Sequence, residues 1–572
     1  MRTLRAGELT CVLDGVDLRY VRLGDVELVR RIYVAVRDRN WNTIPGVASE
    51  LEVDERDDSF EARFTVRHTS RDTDFTWCGR VAGTPDGRIS FAMDGRAGRD
   101  LLYNRIGFCV LQPWREAAGR PFRGDTLDGP VSGTLPRLVA PQRYENGVYV
   151  PLFPSVSRLE IDVEAGPTAV YEFEGDLFET EDQRNWSDAS FKTYCTPLAL
   201  GFPHELKEGE ELAQTVTVYA QGEPEVVATP APRLAVGAPT GARVPPVGLG
   251  LGAAEPSADE TELLRALAPA HLRADVHLDD AGWPETLARA LQTCERVGAE
   301  LELALFLRPG DDLSALREAL ADASVARVLV VPADAQTATP EETTPPELVS
   351  LVRASLELDG IPVAGGTDMY FCELNRTRPQ VAAMDGVFWS INGQVHAFDD
   401  VSLLETPEAQ GEQVRAARAF AGDTPLFVGP VTLRRRYNVN ATVADDDADP
   451  PDPRQREPIA AVWTAASAKH LAEQGAAAIT YFEAVGPRGI AEGVTAFPLH
   501  GALAAVCALR GGEILACESS RPLELAGFAV RRNGAVTLFA ANLTAAAQTV
   551  DVDGTTLELA PYELARIEKE RT

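Results

Sequence analysis

The chain has 572 residues, 45% of them hydrophobic and 24% charged. That is the composition of an ordinary globular protein, and the length exceeds what one hydrophobic core supports. Lys and Arg number 54 against 86 Asp and Glu, a net charge of −32, which disfavours nucleic acid, anionic membrane surfaces and highly anionic polymers as partners.

The eight cysteines, Cys11, Cys78, Cys109, Cys195, Cys294, Cys372, Cys507 and Cys517, occur singly. No CxxC pair is present, so thiols in a reducing compartment are expected, not a disulfide framework. The N-terminus, Met1-Arg2-Thr3-Leu4-Arg5, lacks the apolar core of a signal peptide. No run approaches the roughly 20 apolar residues that cross a bilayer. A cytoplasmic location follows as the expectation.

In chain order, residues 1–225 read as an N-terminal antiparallel β-sandwich. Alternating runs recur at 27–36, 60–66, 89–95 and 215–219, punctuated by Gly, Asp and Pro. Residues 226–246, rich in Pro, Ala, Val and Gly, read as an extended linker. Residues 247–510 alternate strand and helix. Strands are predicted at 247–252, 271–278, 299–307, 326–332, 361–371, 385–392, 425–433 and 476–482, with helices such as Pro284–Val297 and Ala460–Gln474 between them. Eight such units match a (β/α)8 TIM barrel; a doubly wound sheet is the rival, without a nucleotide fingerprint to support it. Residues 511–572 return to short strands, with a hairpin turn at Asn533-Gly534, and read as a small C-terminal β-sandwich. The acidic stretch Asp445–Pro453 reads as a solvated loop tip, with cation binding as the alternative.

Several chemistries are excluded by their motifs. There is no GxSxG elbow and no Walker A. His204-Glu205-Leu206-Lys207-Glu208 lacks the second His of a zincin helix. Gly248-Leu249-Gly250-Leu251-Gly252 does not match GxGxxG and reads as close packing of the first barrel strand. No credible first shell for a metal is present, and no cofactor is expected.

The positive signals lie at the predicted strand ends, which converge on one mouth of a barrel. Glu373 ends the fifth strand and Glu483 ends the eighth, so the two carboxylates can face each other as acid and base. Tyr370, Asn375 and Tyr481 lie beside them. Asn392, Gln394 and His396 follow the sixth strand at period two, a set suited to hydroxyl recognition or proton transfer. Arg434, first of three consecutive arginines after the seventh strand, can hold a carbonyl or carboxylate oxygen. Asp399 and Asp400 read as helix caps. The dense polar-aromatic run Glu181–Tyr194 either lines a site or locks a scaffold.

Taken as a set, Asp182–Tyr194, Asn104–Leu111, Glu373–Arg376, Ser390–Asn392 with Gln394–Asp400, and Thr480–Glu483 resemble the D-apionate lactonase family. The resemblance runs from about residue 25 to 500. It implies a TIM-barrel, glycoside-hydrolase-like enzyme that hydrolyses D-apionolactone to D-apionate in bacterial apiose catabolism. It carries over no catalytic residues; Glu373 and Glu483 come from their placement alone. Two other readings stand beside it: a glycoside hydrolase using Glu373 and Glu483 as its carboxylate pair, and a non-catalytic carbohydrate-binding protein. All three take a small sugar-derived ligand, and homo-oligomerisation stays open.

Overall fold

A computed structural model describes the chain except residues 165, 224–230, 334–342, 358, 440–449 and 570–572. The described residues form two compact units. One holds 1–184 and 189–223; the other holds 185–188, 231–439 and the chain from 450 on.

The first unit is an antiparallel sandwich of an eight-stranded and a nine-stranded sheet. The four expected runs are the strands Val26–Asp38, Phe60–Thr69, Arg88–Ala97 and Glu211–Gln221. Alternation explains the packing: Phe60, Ala62, Phe64 and Val66 are buried while Arg63, Arg67 and Thr69 are exposed. The inward faces of the two sheets meet where Phe91 packs edge-on against Phe108, ring centroids 4.9 Å apart.

The second unit holds a closed barrel of eight parallel strands: β1 Val247–Gly250, β2 His271–His277, β3 Glu300–Leu307, β4 Val325–Pro332, β5 Val363–Tyr370, β6 Val387–Asn392, β7 Leu426–Thr432 and β8 Ala478–Glu483. Their near-continuous apolar runs reflect burial on both faces. Ala304, Phe306, Leu329, Ala364, Phe388 and Phe427 pack together as an apolar filling. Among the described residues no helix is long and apolar enough to cross a membrane.

Seven further strands of this unit form a second sheet. Arg233–Arg243, in the stretch expected to be a bare linker, is one of them. It pairs antiparallel with Glu513–Ser519 and parallel with Gln548–Val552. Leu234 is buried with Leu515, Leu538 and Val550, and that burial outweighs the Pro and Gly of the segment. Pro239 sits where the ladder shifts register, a position that tolerates a missing N–H. Asn533 and Gly534 both have positive φ, 51° and 85°, as the two-residue hairpin turn requires.

Near the strand starts, the barrel encloses a polar floor. Arg327 donates to Glu302, Thr480 Oγ1 donates to Glu302 at 2.7 Å, and His271 Nε2 lies 2.8 Å from Thr480 Oγ1. Burial pushes the His271 imidazole down to about 4, so it is neutral at pH 7. The charge pair is therefore Arg327 with Glu302. Burial raises the Glu302 carboxyl, but His271, once protonated in acid, and Arg327 outweigh it and hold it down at about 2. Arg327→Met would leave a buried carboxylate without its cation, and a loss of about 3–5 kcal/mol is expected in denaturant unfolding. A loss under about 1 kcal/mol would show that the floor is not held by this pair.

Candidate functional site

The barrel mouth is organised by four charged side chains that bridge strands far apart in sequence. Arg273, from the middle of β2, donates to Asp368 on β5, to Asp275 Oδ1 at 2.7 Å and to the Gly429 carbonyl at 3.0 Å. Arg436, in the loop after β7, donates to Asp368 Oδ1 at 2.8 Å and to Asp275 Oδ2 at 2.6 Å. The two arginines and two aspartates thus close a ring of neutral total charge. Burial pushes the Asp275 carboxyl up, but Arg273 and Arg436 outweigh it and hold the group below its ordinary value. Tyr437 and Ser390 donate to the Asp368 carbonyl and fix the chain there.

Beside this ring lies a pocket of about 120 Å³, open on one side. Arg273, Asp275, Arg434, Arg436, Asp452, Glu483 and Arg488 supply its charged lining. Glu483 reaches it through a strand irregularity. Leu249 pairs with Tyr481 but Gly250 pairs with Glu483, so Phe482 is an extra residue in β8, a bulge. Phe482 takes φ 39°, in the left-handed region, which costs a residue with a Cβ about 1–2 kcal/mol. The bulge turns Glu483 into the pocket against the plain alternation of the strand. Glycine makes room on the facing strand: a Cβ on Gly252 would lie 2.5 Å from Glu483 Oε2, and one on Gly250 would lie 2.8 Å from the Phe482 carbonyl. This is the close packing expected of the 248–252 run.

Asp275 belongs to the ring and Asp452 to Arg434 and Arg454, at 3.0 and 2.8 Å. The Glu483 side chain makes no hydrogen bond or ion pair among the described residues. Burial raises its carboxyl above the ordinary glutamate value, offset in part by Arg488 and Arg436. Arg434 gives its Nε to Asp452 and lies over the Phe398 ring at 4.8 Å, so its Nη groups remain for a ligand. A proton acceptor of raised basicity therefore faces fixed guanidinium donors across a space that takes a small molecule. Among the described residues no cluster of three or more His, Cys, Asp or Glu is arranged to hold a metal.

The residues singled out from the sequence do not all meet in this pocket. Glu483 and Arg434 line it; Glu373 does not. Glu373 is the third residue of a short helix, Phe371–Thr377, and is 4% exposed, its Oε1 lying 3.9 Å from Arg376 Nη2 and its Oε2 unpartnered. Burial raises its carboxyl. Tyr370 braces the arginine loop: its hydroxyl accepts from Arg436 N–H at 3.0 Å and donates to the Tyr437 carbonyl at 3.2 Å, and burial pushes it up to about 12. Tyr481 is fully buried on the other side of β8, its hydroxyl 2.8 Å from Ser467 Oγ on the helix Pro458–Glu473. Its place is in barrel–helix packing, because the bulge separates its direction from that of Glu483.

Asn392, Gln394 and His396 do not share one face, because β6 stops at Asn392. Gly393 lies against Trp463, where a Cβ would come within 2.8 Å of the indole. The Asn392 side chain accepts from Gln394 N–H at 3.1 Å. Gln394 donates to the Leu433 carbonyl and to Asp452, at 2.8 and 2.6 Å, and accepts from Arg454. It therefore supports the pocket wall through Asp452. His396 Nδ1 lies 2.6 Å from Asp188. Asn375 donates to Asn185 at 3.1 Å and accepts from Arg378 at 2.9 Å. Asp399 caps the helix Asp400–Glu405 through Ser402 N–H. Of the acidic stretch Asp445–Pro453, residues 445–449 lie outside the described residues, and Asp452 is a buried acceptor, not a solvated tip. The residues that sequence reasoning missed, Arg273, Asp275 and Asp368, carried a signal: charges at period two inside strands otherwise built to be buried.

Family comparison supplies what geometry alone does not. Residues 1–223 match the model of the D-apionate lactonase N-terminal domain, 247–511 its TIM barrel domain and 522–567 its C-terminal immunoglobulin-like domain. A D-apionate lactonase of Brucella anthropi is 28% identical, over 99% of this chain and 96% of its own. Among solved structures, a family 30 endoxylanase from Clostridium papyrosolvens is 11% identical over 56% of this chain and 88% of its own, with a TM-score of 0.38. A family 30 xylanase from Clostridium acetobutylicum is likewise 11% identical, over 59% and 93%, with a TM-score of 0.38. With all three domain models matched in order along its length, the chain belongs to the D-apionate lactonase family.

Proposed function

We propose that the chain is a hydrolase that opens D-apionolactone to D-apionate at the barrel mouth, with Glu483 as the general base. The observation that carries this is the uncommitted carboxylate of Glu483 facing guanidinium groups in the pocket at the barrel mouth. Water between Glu483 and the lactone carbonyl gives its proton to the carboxylate as its oxygen bonds to the carbonyl carbon. Negative charge then develops on the carbonyl oxygen, where Arg434, oriented by Asp452, donates to it. The ring C–O bond breaks, and the leaving alkoxide takes the proton back from Glu483. The products are a carboxylic acid and a hydroxyl; the acid loses its proton to solvent as the carboxylate, and the enzyme ends as it began.

A glycosidase reading requires two free carboxylates flanking one bond. Glu373 does not line this pocket and Asp275 is bound by two arginines, so the pocket favours acyl chemistry with one base. We place the enzyme in the cytoplasm, acting on a small sugar-derived substrate with no nucleic-acid or membrane partner. All eight cysteines are free thiols, which fits a reducing compartment.

Glu483→Gln keeps the shape and removes the base; kcat for the lactone is expected to fall by about 10²–10⁴ with the melting temperature unchanged. Retention of activity within about tenfold would remove Glu483 from the mechanism. Because the base must be ionised and burial raises its pKa, kcat/KM of the wild type should rise with pH, with its inflection above the ordinary glutamate value of 4.5. Gly252→Ala places a Cβ against the Glu483 carboxylate. A fall in kcat of about tenfold or more, with a smaller change in KM, is the expected result in steady-state assays.

A further inference from the structure

The second barrel strand carries one more polar side chain to the mouth, and the hydrolysis described above does not use it. β2 pairs with β3 without a register shift, from His271 opposite Glu300 to His277 opposite Phe306. Residues two apart on such a strand share a face. Arg273 and Asp275 line the pocket, so His277 points into the barrel as they do. It is the last residue of β2, and barrel enzymes meet their substrates at these C-terminal strand ends.

The same register sets its neighbour. Phe306 belongs to the apolar filling of the barrel and is fully buried. The imidazole lies flat on it, ring centroids 3.9 Å apart and planes 13° from parallel. One face of His277 is thus covered, and the stack fixes the plane that holds its two nitrogens. The charge of a protonated His277 acts on Asp275, which places the imidazole beside the pocket wall.

The other polar side chains of this stretch are committed. His271 meets Thr480 in the floor, and Arg273 and Asp275 belong to the ring. Asp279 pairs with Arg308 at 3.0 Å, and Asp280 accepts from Gly282 N–H at 2.9 Å. The His277 side chain makes no hydrogen bond or ion pair among the described residues. Its ring is half-buried, and its nitrogens are not sealed off as Nδ1 of His271 is. An imidazole offers a donor and an acceptor when neutral and two donors when charged, and either form holds a hydroxyl. A ring already fixed in its plane loses little freedom when a ligand arrives.

We propose that His277 touches the substrate and selects polyhydroxylated lactones. An edge nitrogen of its imidazole hydrogen-bonds a substrate hydroxyl while the lactone carbonyl lies between Glu483 and Arg434. An unsubstituted lactone presents the same carbonyl without that hydroxyl and forgoes the contact. The identity of the ligand as a sugar lactone rests on the lactonase reading; the unpartnered imidazole at the mouth does not.

Steady-state turnover of D-apionolactone and of γ-butyrolactone, which carries no hydroxyls, tests this. His277→Phe keeps the stack on Phe306 and removes the polar edge. It is expected to lower kcat/KM for D-apionolactone about tenfold and to leave that for γ-butyrolactone within about twofold. His277→Asn or His277→Gln, which put an amide near the places of Nδ1 and Nε2, should restore part of the loss. An equal loss on both lactones would mark a merely structural side chain and overturn the proposal, as would no loss on either. Should His277→Phe not fold, the wild type decides: kcat/KM at least about tenfold higher for D-apionolactone is expected, and equal values overturn the contact. Binding is read separately. Calorimetric titration of Glu483→Gln with D-apionolactone, with and without His277→Phe, should show about a tenfold loss of affinity. Unchanged affinity, or no binding in either protein, overturns the contact. Failure of the wild type to open either lactone would sink the lactonase reading instead and leave the titration to decide on His277.

Discussion

The ring of Arg273, Asp275, Asp368 and Arg436 is the constraint on which the barrel mouth depends. It ties β2 to β5 and both to the loop after β7. Four charges buried at a barrel end would be costly singly; arranged alternately, each cation meets two carboxylates and each carboxylate two cations. The consequence is chemical as well as structural. With Asp275 held by the ring and Asp452 by Arg434 and Arg454, the free carboxylate among the described residues lining the pocket is Glu483, and burial keeps that group more basic than an ordinary glutamate. Arg436 is fixed by the ring, while Arg434, held by Asp452 through one nitrogen, is positioned and still has donors to give.

Much of the fold was legible in the sequence because burial leaves periodic marks. All eight barrel strands fall within a few residues of the predicted runs, since strands covered on both faces read as continuous apolar stretches bounded by Gly, Pro and helix caps. The connector was misread where Pro and Gly hid an interior strand: Leu234 and Val236 were the alternating signal for Arg233–Arg243. The hairpin at Asn533-Gly534 was readable because its φ values are those that Asn and Gly tolerate.

The site was legible only in part. The sequence put Glu483 at a strand end, but not the bulge at Phe482 that separates it from Tyr481. A one-residue insertion in a ladder is set by the neighbouring strand, here by the room that Gly250 and Gly252 leave. Asn392, Gln394 and His396 were aligned on the assumption that β6 continues, and Gly393 against Trp463 ends it. The inward charges Arg273 and Asp275 were visible as letters at period two, yet their value lay in partners 95 and 161 residues away. Local pattern does not encode such distances.

Single turnover in ¹⁸O-labelled water, with mass analysis of product and enzyme, tests most directly whether Glu483 activates water at a lactone carbonyl. One ¹⁸O in the product carboxylate, none in the newly released hydroxyl and none in the peptide carrying Glu483 is the result expected of a general base. Label in the hydroxyl would mean that the other C–O bond is cut, and label in Glu483 would mean that it attacks as a nucleophile; either contradicts the mechanism.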